Sequence, residues 1–149
     1  MRLTSSRLLS ITALFACLAV ASGCSTPSIV FETTGRTLNA DSARTLLAAT
    51  DTSDVSSRRI AEAAKLRHET LVSLRALGED GAAAADLITA TFPTNTQAVP
   101  VRVETAVWSG VPALVLIEAY GRRSGRLDQK RLWVLDSSTG AVLFTAADR

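Results

Sequence analysis

Cysteine, histidine and aromatic residues are scarce in this 149-residue chain, which has two Cys, one His and only 5% Phe, Trp and Tyr together. Both cysteines, Cys17 and Cys24, lie near the start. The rest of the chain therefore has no thiol for catalysis, thiolate metal ligation or an internal disulfide. With His68 as the lone histidine, a metal centre or catalytic imidazole would have to be completed by carboxylates, and no H-E-x-x-H or EF-hand spacing is present. A G-x-S-x-G elbow, a Walker loop, a dinucleotide fingerprint and a nameable pair of catalytic carboxylates are likewise missing. No catalytic residue, metal ligand or cofactor can be assigned, and the expectation is a protein that works by binding.

What is present suits one small globular domain, because 47% apolar and 20% charged residues are too apolar for a disordered chain and too few in total for two full-sized domains. The 16 Lys and Arg against 14 Asp and Glu give a slight positive excess that comes from the first segment. Without Arg2 and Arg7 the chain has 14 basic and 14 acidic residues, a neutral balance that makes no global case for nucleic acid.

Arg2 and Arg7 precede an apolar run from Leu8 to Val20, followed by the small residues Ala21, Ser22 and Gly23. This is the pattern of a secretory signal peptide. As a helix rising about 1.5 Å per residue the run would reach only about 20 Å, short of the roughly 30 Å hydrocarbon core. Ala21-Ser22-Gly23-Cys24 resembles the lipobox of bacterial lipoproteins, although Ala21 stands where that family usually has Leu. The resemblance implies residues 1–23 as signal peptide and Cys24 as the site of diacylglycerol attachment. Residues 24–28 become a short tether, residues 29–149 a single domain, and the location a bacterial cell envelope, lipid-anchored on the extracytoplasmic side. The alternative is an ordinary leader cleaved near Gly23 with Cys24 as a free thiol.

Along the remaining chain, Ile29-Val30-Phe31 opens a β-branched stretch that ends at Gly35, and Asn39 or Asp41 suits the cap of a short helix reaching Ala49. A long amphipathic helix is expected from about Asp54 to Leu77, with Ile60, Ala63, Ala64, Leu71 and Leu74 on one face and Gly78 as its stop. Asp80 then caps a second helix from Ala82 to Thr91, ended by Phe92-Pro93. Beyond it the period changes to two: Val99 to Val107, Ala113 to Ile117, Arg131 to Leu135 and Ala141 to Phe144 read as strands joined by short turns. Together these predict an α+β fold in two layers, N-terminal helices packed on a four-stranded antiparallel meander.

Few residues stand out as functional candidates. His68 reads as an ordinary residue at the helix boundary. Arg67 falls in the apolar stripe, where an unpaired charge is costly to bury. Either the stripe is less buried there, or Arg67 meets a carboxylate such as Glu104 or Glu118, or it lines a pocket that binds an anion. The segment Gly121 to Arg131 concentrates five basic residues, Arg122, Arg123, Arg126, Lys130 and Arg131, against Asp128 alone. It is a candidate anion- or partner-binding loop, set against the plainer reading of a solvated hairpin. Trp108 and Trp133, with Tyr120, are expected in core or edge packing, facing one another across the sheet or forming a surface anchor.

Leu132-Trp133-Val134-Leu135-Asp136-Ser137-Ser138-Thr139-Gly140-Ala141-Val142-Leu143 is similar to the closing hairpin of PepSY domains, which follows a helix and earlier antiparallel strands. That likeness implies an envelope module that restrains a peptidase or senses a ligand without catalytic residues of its own. The leading expectation is a lipid-anchored envelope protein that binds or scaffolds an envelope protein or polymer, its membrane contact coming from lipid on Cys24. The alternatives are a PepSY-like regulator of an envelope peptidase and a carrier of a small hydrophobic ligand.

Overall fold

The computed structural model describes residues 25–148, so the leader and Cys24 lie outside the described residues. The chain is α+β, but its sheet has five strands rather than four, in the order β1-β2-β3-β4-β5. Strand β1 (Val30–Leu38) runs parallel to β2 (Ala98–Trp108), while β3 (Val111–Tyr120), β4 (Gln129–Asp136) and β5 (Val142–Ala147) continue antiparallel. The expected end at Gly35 is a bulge instead, where the register with β2 shifts between Thr33 and Arg36 and Gly35 takes φ 59°. Glu-Thr-Thr-Gly-Arg has no apolar alternation, so its strand character comes from pairing with β2 rather than from local pattern.

The helices cover both faces of the sheet, which corrects the two-layer expectation. One core joins Ala113, Val115 and Ile117 of β3 to Ala43 and Leu47 of α1 (Ala40–Ala49). The other joins Leu114 and Leu116, of opposite parity, to Leu71 and Leu74 of α3 (Ala63–Arg75) and Ala84, Ala85 and Ile88 of α4 (Glu79–Thr91). Successive strand residues point to opposite faces, so β3 is buried on both, from Ala113 through Tyr120. Trp108 stacks on Phe144 at 4.9 Å on the α1 side, whereas Trp133 meets Phe92 at 5.3 Å on the α3 side. The two tryptophans therefore lie on opposite faces and do not meet.

Local chemistry explains the helix ends. Asn39 caps α1 by accepting from Asp41 N and Ser42 N, while Ser42 Oγ accepts from Asn39 N at 2.9 Å, a reciprocal capping box. Gly78, with φ 106°, occupies the N-cap position of α4, so Asp80 sits inside the first turn with Glu79, where carboxylates complement the helix dipole. Gly81 lets α4 approach α3, since a Cβ there would lie 2.4 Å from Leu74 O.

The single long helix expected from Asp54 does not form. A short α2 (Ser53–Ser56) gives way to an extended Arg59 that bridges Arg126, and α3 starts only after a 3-10 turn at Ile60–Glu62. Ile60 N donates to Gly125 O and Leu127 N to Arg58 O, both at 3.0 Å. Pairing with the distant β3–β4 loop thus takes over backbone groups that helical hydrogen bonds would otherwise use. Leu127 is fully buried and fastens the loop to the core. Gly121, at the loop's start, is packed so closely that a Cβ would fall 2.0 Å from Arg126 O and 2.6 Å from Ile60 Cδ1. Gly121→Ala should therefore lower unfolding stability by about 1–3 kcal/mol, the usual cost of overpacking. Urea denaturation checks this, and an unchanged midpoint would mean that the loop does not close on Ile60.

Candidate functional site

Arg122, Arg123 and Arg126 are exposed on the β3–β4 loop, as the sequence leads one to expect. Lys130 and Arg131, the other two residues of the candidate loop, are half-buried in β4 and engaged by neighbouring groups. Lys130 Nζ donates to Ala48 O and Thr50 O at 3.0 and 3.1 Å and lies 3.8 Å from Asp148, so it satisfies the carbonyl end of α1. Arg131 binds Glu118 and lies over the rings of Tyr120 and Trp133 at 5.1 and 5.2 Å. The loop arginines gain a companion that local sequence does not announce, because the Arg59–Arg126 bridge adds the exposed Arg59 to the same surface. Among the described residues, Arg59, Arg122, Arg123 and Arg126 make no ion pair. Arg122 lies 5.9 Å from the Tyr120 ring centroid, at a depression of about 500 Å³ whose wall includes Tyr120, Arg122, Arg123 and Gln129. Arg58, which precedes Arg59, donates from Nη2 to Ser25 O at 3.1 Å and so ties the residue following Cys24 to the stretch that pairs with the loop.

A second arrangement lies inside the molecule. Arg67 is 97% buried, yet it projects from the sheet-facing side of α3. Of the alternatives open to it, the carboxylate partner is Glu118, on β3, and not Glu104. Arg67 Nη1 donates to Glu118 Oε1 and, at 3.2 Å, to Ala98 O. Glu118 Oε2 accepts from Arg131 Nε and Trp133 Nε1, both at 3.0 Å. One carboxylate thus serves two guanidinium groups, and the cluster holds one more positive than negative charge. Arg67 Nη2 is buried with no hydrogen-bond partner among the described residues, a condition that costs about 1–3 kcal/mol. The Arg67 guanidinium carbon lies 5.8 Å from the Phe92 ring centroid, and Arg67 forms part of the wall of a pocket of about 120 Å³ with His68, Arg75, Thr89, Phe92 and Thr94. His68 itself is exposed within α3, and Ala64, expected in the apolar stripe, is exposed too.

Glu104, the other fully buried carboxylate, belongs to the opposite face and a different network. Arg36 Nε and Nη2 reach it at 2.5 and 2.9 Å, Thr34 Oγ1 at 2.8 Å and Arg102 Nη2 at 3.2 Å. Burial raises its pKa and is the largest single influence, but the hydrogen bonds from Thr34, Arg36 and Arg102 and the Arg36 charge together hold it below the ordinary glutamate value. This network joins β1 to β2 and opens onto none of the pockets described above.

No group of three or more His, Cys, Asp or Glu side chains is placed to hold a metal ion among the described residues, and none of their helices is long and apolar enough to cross a membrane. Comparison of the chain with known protein families, curated proteins and solved structures gives no significant match. The candidate sites therefore stand on geometry alone: an exposed arginine surface and a buried arginine cluster at a small pocket. Arg75, Thr89, Phe92 and Thr94 were not legible as pocket residues, because only the packing of α4 and its following turn on α3 brings them to Arg67.

Glu118→Gln would leave Arg67 and Arg131 without their counter-charge. Removing one partner of a buried ion pair typically costs about 3–5 kcal/mol, and thermal or urea unfolding should show a loss of that order. A change within about 0.5 kcal/mol, the range of ordinary surface substitutions, would remove Glu118 from its place as the hub.

Proposed function

We propose that this protein is a non-catalytic binding module of the bacterial cell envelope, anchored by lipid on Cys24, and that its arginine surface engages an anionic envelope partner. The observation that carries this reading is the bond from Arg58 Nη2 to Ser25 O at 3.1 Å. It ties the residue after the proposed lipid attachment to Arg58, whose neighbour in the chain, Arg59, pairs by backbone with Arg126 of the basic loop. Ser25 lies one residue from the lipidated thiol, so this surface works close to the bilayer and meets whatever phosphate- or carboxylate-bearing polymer or acidic protein lies there. Guanidinium groups suit such a partner because they bind carboxylate and phosphate oxygens in pairs. Proximity also matters electrostatically, since exposed charges act over about 8 Å at physiological salt. The neutral balance of the chain outside the leader supplies no long-range attraction, so the local cluster and the anchor work together.

Two experiments test the two parts separately. Cys24→Ala should move the protein from the membrane to the soluble fraction of envelope extracts, and the wild-type mass should include a diacylglyceryl group. Persistent membrane attachment with an unmodified thiol would refute the anchor. For the surface, the fragment from Ser25 to Arg149 should capture an anionic polymer or acidic protein from native envelope extract, and the triple Arg122→Ser, Arg123→Ser, Arg126→Ser variant should lose it. The variant's melting temperature should hardly change, because solvated charges contribute about 0–1 kcal/mol each. Equal retention by both fragments would move the site elsewhere, and capture of nothing by either would count against a binding role of this kind.

A further inference from the structure

Independently of the anchor and of the loop arginines, the buried cluster on the α3 side points to a small-molecule site. The carboxylate of Glu118 accepts three hydrogen bonds, one from Arg67 Nη1 and two from Arg131 and the Trp133 indole. None of them comes from Arg67 Nη2, which remains buried and unpartnered among the described residues. A buried guanidinium left with an unpaired N–H edge, in a cluster with surplus positive charge, lacks one anionic acceptor.

The space beside Arg67 has the size and lining to admit that acceptor. Its wall has an apolar part, formed by Ala64, Leu71 and Phe92, and a polar part, formed by Arg67, His68, Arg75, Thr89 and Thr94. Besides Glu118, the acidic group bonded to this lining is Asp86, which is engaged by Arg75 at 2.9 Å. Arg75 also reaches Thr89 Oγ1 at 3.3 Å, so the rim is held by charges that balance each other while the floor keeps its surplus. At about 120 Å³ the pocket is close to the cavity of about 150 Å³ that takes benzene in an engineered protein. A multiply charged phosphate would lose much hydration against the apolar wall, whereas a single carboxylate matches one guanidinium edge and leaves its hydrocarbon part for Phe92 and Leu71.

We infer that this pocket binds a small monocarboxylate with a short apolar or single-ring body, its carboxylate completing the hydrogen bonding of Arg67 Nη2 and its body lying against Phe92. Ala64 is the position at which to block it, since Ala64 is exposed on α3 and lines the pocket without belonging to either core. Arg67→Met removes the acceptor's partner directly but disturbs the Glu118 cluster, so the blocked variant Ala64→Phe keeps the test independent of folding.

The probe is benzoate, with benzamide as a neutral molecule of the same shape, titrated into the ¹⁵N-labelled chain from Ser25 to Arg149, which contains every described strand and helix. Benzoate should shift the amide signals of residues 64–75 and 89–94 and the Trp133 indole signal along one saturable curve. Benzamide should bind about ten-fold or more weakly, the loss expected for one charge-assisted hydrogen bond, and Ala64→Phe should abolish the benzoate response while keeping the wild-type fold. Equal binding of benzamide, an unchanged response in Ala64→Phe, shifts confined to the Arg122–Arg126 loop, or no saturable shift would each overturn the site. Displacement of benzoate by inorganic phosphate at lower concentration would overturn the choice of a carboxylate.

Discussion

A fully buried carboxylate on a strand covered on both faces is the constraint around which the molecule is arranged. Glu118 lies on β3, the strand paired on either side and packed above and below, and its side chain is fully buried. Burying an ion without compensation costs far more than a domain's net stability allows. Its compensation comes from three side chains on two elements: Arg67 on α3, and Arg131 and Trp133 two residues apart on β4. The register of β4 on β3, which puts Arg131 opposite Glu118 and Trp133 opposite Leu116, is therefore also the register that neutralises the charge. The docking of α3 is tied to it in the same way, because Arg67 has no other carboxylate within reach among the described residues.

The second organising contact is made by backbone rather than charge. Arg58 to Ile60 pair with Gly125 to Leu127, and this one bridge interrupts the helix, closes the long loop onto the core through Leu127, and gathers Arg58 and Arg59 with Arg122, Arg123 and Arg126. The Arg58 side chain in the same stretch donates to Ser25 O. The backbone bridge thus connects the exposed cations and the core. The two candidate sites divide the chemistry of arginine between them: exposed groups that keep their water and act as a charged surface, and a buried group whose remaining N–H edge calls for a specific acceptor.

Much of the architecture was legible from local pattern. The capping box at Asn39, the glycine at 78, the stop at Phe92-Pro93 and the hairpin turns are matters of a few neighbouring residues, and Ser109 with Gly110 and Asp136 with Gly140 turn the chain as their side chains and left-handed backbones allow. The alternating valines of β2 and the apolar run of β3 announced strands. What failed was non-local: the parallel pairing of β1, the break before α3, the second covered face, and the separation of Trp108 from Trp133. The bulge at Pro100–Arg102 is part of the reason, since it reverses the facing of every later residue of β2 and places Glu104 on the side opposite Glu118.

The sequence by itself determined the α+β class, the approximate positions of the strands, the exposure of Arg122, Arg123 and Arg126, and that Arg67 needed a special environment, because each follows from the period and chemistry of adjacent residues. Only the tertiary structure decided that Arg67 meets Glu118, that Lys130 and Arg131 are engaged within the fold, that Arg59 lies beside the basic loop, and that Arg58 holds Ser25. Those outcomes depend on which distant backbone groups exchange hydrogen bonds and on which face each bulge presents, quantities that no local window of sequence contains.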